Sequence, residues 1–270
     1  MKFGVLALLT VGIATVWVDG RWIWASMELL CLGLAAWKIV RLRGIRLDLK
    51  LAVLAAAAFV PAIQAAFNLT ESRAITLEAA LNWFMFLMIF LLTREICGED
   101  PNWWLRAVSS VGLVMASEAT LQNLSSGGRI FWMFPSGYAD GVLGPFVSRN
   151  QYAAWIELLL PISLYLTASR DRNRLLHATS AAVMFVSVIA SGSRAGLVLV
   201  SLEVLLVSTL LAARRVGISR AIAAATGLLI LLLTASAIVI GWQPLADRFH
   251  AGTAGMLRVD AVRASLRMIG

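Results

Sequence analysis

Nine apolar stretches, separated by short polar connections, dominate this chain and leave few folds open to it. They run roughly over residues 3–18, 22–40, 51–69, 77–93, 103–121, 150–169, 175–190, 197–213 and 221–241. About 20 apolar residues in a helix cross the hydrocarbon core of a bilayer, so each stretch reads as a membrane span. The expected fold class is therefore all-α, a polytopic integral membrane protein of about nine transmembrane helices. With 60% of the 270 residues apolar, against roughly 45–50% in an ordinary soluble domain, a water-soluble globule is excluded. Residues 1–270 are expected to form a single transmembrane domain. The first stretch lacks a small-residue cleavage pattern at Trp17-Val18-Asp19, so it reads as a retained helix rather than a signal peptide.

The formal net charge is +8, which in a soluble protein would point to nucleic acid. Here the basic residues lie between apolar stretches, where they orient a membrane protein, and no nucleic-acid partner is needed. With the N-terminus inside, cytoplasmic segments carry Lys2, Arg41, Arg43, Arg46, Lys50, Arg94, Arg170, Arg172, Arg174, Arg214, Arg215 and Arg220. The opposite connections carry only Arg21, Arg73, Arg129, Arg149 and Arg194, and this asymmetry places the C-terminus outside. Cys31 lies in an apolar stretch and Cys97 in a short charged connection, so the cysteines define neither a disulfide framework nor a redox compartment.

Two segments are long enough to work outside the membrane. The first is a loop over 122–149, from Gln122 to Arg149, rich in glycine and aromatic residues. The second is 242–270, from Trp242 to Gly270, where Val259, Val262, Leu266 and Ile269 recur at helical spacing and Arg263 and Arg267 share another face. That pattern describes an amphipathic helix on the membrane surface, and since nothing stops it before Gly270, the sequence reads as the start of a larger outer segment in a C-terminally truncated fragment.

The candidate chemistry gathers on the outer side. Ser148-Arg149-Asn150-Gln151-Tyr152 opens the sixth stretch, and an arginine beside the unsatisfied N–H groups of a helix N-terminus makes a site for an anion such as phosphate. A headgroup-snorkelling arginine is the plainer alternative. Asn150 and Glu157 stand seven residues apart on one helical face, and Pro161 removes the hydrogen bond to the Glu157 carbonyl, so a kink is expected beside an intramembrane carboxylate. A structural Glu157 paired with an arginine is the competing reading. Ser191-Gly192-Ser193-Arg194-Ala195-Gly196 forms a tight turn that again sets an arginine at a helix start. Two such guanidiniums match the oxygens of a diphosphate. The tail adds Arg248, Arg258, Arg263 and Arg267 together with His250, a solvated histidine or a general base. Glu28, Glu118 and Glu203 are candidate partners for arginines at helix ends. No phosphate-binding glycine loop and no metal-ligand spacing is present in the sequence, so neither a metal nor a cofactor is expected.

The Ser148–Ala153 segment, the Ser191–Gly196 turn and the tail Gly255-Met256-Leu257-Arg258-Val259-Asp260-Ala261-Val262-Arg263-Ala264 resemble the O-antigen ligase and polymerase superfamily, from about residue 50 onward. The resemblance implies a GT-C-like integral-membrane glycosyltransferase of the bacterial inner membrane, with its site facing the periplasm. Its donor would be a polyprenyl-diphosphate-linked glycan and its acceptor the hydroxyl of a lipid or glycan, in polysaccharide or lipopolysaccharide biosynthesis. By the same resemblance Arg149, Arg194 and Arg258 act on the diphosphate as catalytic residues, while Asn150, Glu157, Arg263 and His250 are candidate substrate contacts. The histidine that assists the acceptor in that family has no match before Gly270. A transporter or flippase for an anionic lipid-linked substrate is the alternative, and it would show an internal repeat and polar groups at the midplane of several spans. A non-catalytic assembly scaffold would require no convergence of arginines.

Overall fold

The computed structural model describes residues 2–39, 48–138, 141–169 and 172–240. Among them lie nine helices: α1 (Lys2–Ala14), α2 (Arg21–Ile39), α3 (Leu49–Ala66), α4 (Arg73–Glu99), α5 (Pro101–Ser125), α6 (Arg149–Ala168), α7 (Arg174–Ser191), α8 (Arg194–Val216) and α9 (Ile218–Ile240). Each covers one of the nine apolar stretches. The only paired strands among the described residues are β1 (Arg129–Ile130) and β2 (Phe134–Pro135), an antiparallel hairpin in the loop before α6.

Five helices are long and apolar enough to cross a membrane: α3, α4, α7, α8 and α9. The other four fall short for local reasons. At 13 residues, α1 spans only about 20 Å at 1.5 Å per residue. The remaining three carry polar groups along their length: Arg21, Glu28 and Lys38 in α2, Arg106, Glu118 and Gln122 in α5, Arg149, Asn150 and Glu157 in α6. Leu199, Leu202, Leu206 and Leu210 of α8 and Ile222, Ile230, Leu231 and Ile238 of α9 are exposed, and faces of this kind suit hydrocarbon rather than water.

The chain divides within α5, one unit ending at Val111 and the other beginning at Gly112. In the first unit, α1, α2 and α4 share a core of Val5, Leu8, Cys31, Met85, Leu92 and Ile96, while Ala58 of α3 packs with Leu87 of α4. Charges mark the helix ends. At one end Lys2 meets Asp100 (3.5 Å), Lys38 meets Glu95 (3.4 Å) and Glu99 (3.2 Å), and Arg94 meets Asp48 (3.3 Å). At the other, Arg21 grips the buried Glu28 with both forks, at 2.8 and 2.9 Å, and lies 3.6 Å from Glu78. The first four helices thus alternate in direction, with ion pairs at both ends and apolar side chains between. Glu28 is an arginine's partner, as the sequence suggested.

In the second unit α7 is the most enclosed of the apolar helices, with Met184, Phe185 and Val188 buried against Tyr152, Ile156 and Leu160 of α6 and Val200 and Val204 of α8. Gly192, at φ 65°, ends α7 in the left-handed conformation that glycine adopts freely, and the chain reverses at once into α8. The backbone of α8 comes close to α6 at Gly196: a Cβ there would stand 2.5 Å from that of Ala153, so only glycine fits.

The loop begins later than the sequence indicated. Gln122 to Ser125 are the last turn of α5, and irregular chain starts at Ser126. The reason is the Gln122 side chain, which is fully buried. Its Nε2 donates to Gly144 O (2.9 Å) and its Oε1 accepts from Phe131 N (2.7 Å), so one amide satisfies two distant backbone groups. Ile130, Val142, Leu143 and Phe146 turn inward while Trp132, Met133, Phe134 and Tyr138 are exposed, so the loop has a packed underside and an aromatic outer face.

Candidate functional site

Three connections meet at one end of the second unit: the loop leaving α5, the start of α6, and the turn from α7 into α8. Asn123 Nδ2 donates to Ala190 O (3.2 Å), tying the end of α5 to the end of α7. Ser193 joins the other two. Its hydroxyl donates to Asn150 Oδ1 (2.9 Å) and accepts from Gly196 N (3.1 Å), so a single side chain caps α8 and binds it to the first turn of α6. Ser193 is buried, which keeps water from competing for either bond.

Arg149 and Arg194 are each the first residue of a helix, α6 and α8 respectively, and both are exposed. Since Asn150 follows Arg149 and Ser193 precedes Arg194, the Ser193 to Asn150 bond sets the two arginine-bearing helix starts side by side. The start of α6 is open in a second sense. Ser148 provides no side-chain cap, and the first backbone bond of the helix is Tyr152 N to Ser148 O (3.0 Å). The amides before Tyr152 are therefore without intrahelical acceptors, pointing toward the side where an anion would be held by the helix dipole. With Asn150 Oδ1 engaged by Ser193, the Asn150 amide group has donors left for a further acceptor.

Glu157 does not belong to this cluster. It lies two turns along α6, about 10 Å from Asn150 at 1.5 Å per residue, and is half-buried. Among the described residues its electrostatic neighbour is Glu203 of α8, a like charge. Pro161 stands four residues on within α6, so the Glu157 carbonyl lacks the donor that an ordinary residue would supply. Glu118 also departs from the pairing expected of it: both carboxylate oxygens are buried without a hydrogen-bond partner. Arg258, Arg263 and His250, with the whole segment 242–270, lie outside the described residues.

Of the seven residues singled out in the sequence, the structure brings Arg149, Asn150 and Arg194 to one end of one bundle and sets Glu157 deeper. Ser193 and Gln122 carry the geometry without having been singled out. For Gln122 the available signal was an amide at the edge of an apolar stretch, where a polar side chain must find partners in the protein. Cys31 and Cys97 are free thiols, and no grouping of histidine, cysteine, aspartate and glutamate suited to a metal occurs among the described residues. No protein-family model matches the chain, and no curated protein or solved structure matches it either.

Proposed function

We propose that this protein is a membrane glycosyltransferase of the O-antigen ligase and polymerase type, moving a glycan from a polyprenyl-diphosphate carrier to an acceptor hydroxyl at the outer face of the bacterial inner membrane. In this reading all nine helices cross the bilayer in a GT-C-like arrangement. The observation that carries it is the Ser193 to Asn150 hydrogen bond, which couples two helix starts that each bear an arginine. A diphosphate offers oxygens on two phosphorus atoms, and two guanidiniums carried on coupled helix starts with open amides are a fitting counterpart.

The acceptor oxygen attacks the anomeric carbon of the lipid-linked sugar as the bond from that carbon to the diphosphate oxygen breaks. The electron pair leaves with the diphosphate. Arg149, Arg194 and the α6 amides would meet the charge that develops on it, the amides being already oriented by the helix. Arg258 is the third arginine that the family resemblance assigns to this task.

Replacing Arg149 with lysine tests the reading, because lysine keeps the charge and loses the planar fork. Transfer of an undecaprenyl-diphosphate-linked glycan by the full chain should fall by roughly ten- to a hundred-fold, the worth of one charge-assisted hydrogen bond. Full activity at equal expression would return Arg149 to the snorkelling alternative.

Orientation is tested separately. In a chain lacking Cys31 and Cys97, single cysteines at the exposed Tyr138 and Asn173 should label from opposite sides with a membrane-impermeant thiol reagent, Tyr138 from outside. Labelling of Asn173 from outside would remove the periplasmic site.

The proximity of Glu157 to Glu203 within the bundle favours a second reading, a carrier for an anionic lipid, which would use intramembrane carboxylates during transport. A carrier would move labelled polyprenyl diphosphate between leaflets without forming a glycosidic bond.

A further inference from the structure

Beneath the loop two polar side chains of the second unit are left without partners. Glu118, one turn before Gln122 on α5, has both carboxylate oxygens buried and unbonded. The Tyr152 hydroxyl, about one turn into α6, is likewise buried and unbonded, and Tyr152 as a whole is 1% exposed. The two lie within electrostatic reach of one another. Ser187 of α7 is also near the phenol, but its hydroxyl donates to Met184 O at 2.7 Å and makes no bond of proper geometry with Tyr152.

The surroundings limit what can complete these two groups. Gly144 covers Glu118: its φ is +56°, and a Cβ would stand 2.7 Å from Glu118 Oε2. The Phe146 ring packs edge-on against Tyr152 at 5.8 Å and also meets Trp155 at 5.8 Å, giving the covering segment an aromatic wall. Native proteins leave buried acceptors and donors unmade chiefly where water, an ion or a ligand completes them. An ionised carboxylate only accepts, while a phenol both donates and accepts, so a bridging group must donate to Glu118 and should also take the hydrogen that Tyr152 has to give. A hydroxyl does both; an ammonium would leave the phenol's hydrogen without an acceptor, and a fully ionised phosphate cannot donate.

We propose that Glu118 and Tyr152 form a hydroxyl-recognition subsite that holds a sugar hydroxyl of the lipid-linked glycan, about one helical turn inside the end that carries Arg149 and Arg194. The placement fits the carrier's geometry, since the sugar is bonded directly to the diphosphate and Tyr152 follows Arg149 by three residues, about 4.5 Å along α6. This inference rests on the glycosyltransferase reading. A fixed water could make the same two bonds, and the test separates the two sources.

The full chain in lipid nanodiscs is titrated with undecaprenyl diphosphate and with undecaprenyl-diphosphate-linked N-acetylglucosamine. The wild type should bind the sugar-bearing lipid about ten-fold more tightly, the worth of one hydrogen bond to a charged group. Glu118→Gln, which removes the charge, and Tyr152→Phe, which removes the phenol's hydrogen, should each cut that preference severalfold while leaving affinity for the bare lipid unchanged. A preference that survives undiminished in both variants would mean that the pair holds water, and the subsite would be overturned. Equal binding of both lipids by the wild type would also overturn it while leaving the diphosphate reading intact. Binding of neither lipid would remove that reading and the subsite together.

Discussion

Replacing Arg149 or Arg194 with alanine should each lower glycan transfer by about a hundred- to a thousand-fold, the range seen when one preorganised donor to a developing anion is removed. Together the two replacements should cost less than the product of the separate losses. Both arginines head helices joined by the Ser193 to Asn150 bond, and a leaving group already released from one side gains little from a grip on the other. Stability should move in the opposite direction. A cation at a helix N-terminus opposes the dipole, so the exposed Arg149 costs the folded protein about 0.3–1 kcal/mol unless an anion answers it. Arg149→Ala is therefore expected to melt at an unchanged or slightly higher temperature while losing activity. Additive losses would assign the arginines independent roles, and wild-type rates in both single variants would favour a carrier or a scaffold.

The second large effect is expected at Gln122. Changing it to leucine keeps the volume approximately and removes two hydrogen bonds, one to Gly144 O and one from Phe131 N. Each backbone group left unbonded costs roughly 1–3 kcal/mol where it is buried, and Gly144 is buried. The loss falls on the loop, not on the bundle, because α5 keeps its own backbone bonds. A loss of about 2 kcal/mol raises the open population of the loop roughly thirty-fold. Amide exchange at Phe131 should accelerate by about that factor while amides within α7 remain protected. Equal exchange in the variant would show that the packed underside, Val142, Leu143 and Phe146, holds the loop without the amide.

Much of the fold was legible in the sequence, and the reason is physical. A helix is the simplest way for a continuous apolar segment to satisfy its own backbone, so each of the nine apolar stretches corresponds to a helix among the described residues, five of them long and apolar enough to cross a membrane. The pairing of Arg21 with Glu28 was readable in outline, since seven residues bring them near the same face of α2. Legibility ended where the contact was not local. The Ser193 to Asn150 bond joins residues 43 apart, and neither a serine in a turn nor an asparagine after an arginine announces the other. The start of the loop was misplaced for a related reason. Leu121-Gln122-Asn123-Leu124-Ser125-Ser126 is polar enough to resemble loop, but Gln122 meets its partners by letting the chain fold back over it. Glu118 was expected to answer an arginine and instead faces the underside of Gly144. That difference reflects which helix face the loop covers, a feature of tertiary packing with no signature in the spacing of charges.

The starts of α6 and α8 are proposed to form one site for the diphosphate of a lipid carrier. Equilibrium binding of undecaprenyl diphosphate to the full chain in nanodiscs tests this, comparing the wild type with the Arg149→Ala, Arg194→Ala variant at fixed ionic strength. The account requires the double variant to lose about a hundred-fold or more in affinity, as expected for two charge-assisted contacts. Undiminished binding by the double variant, with both proteins equally folded, would contradict it.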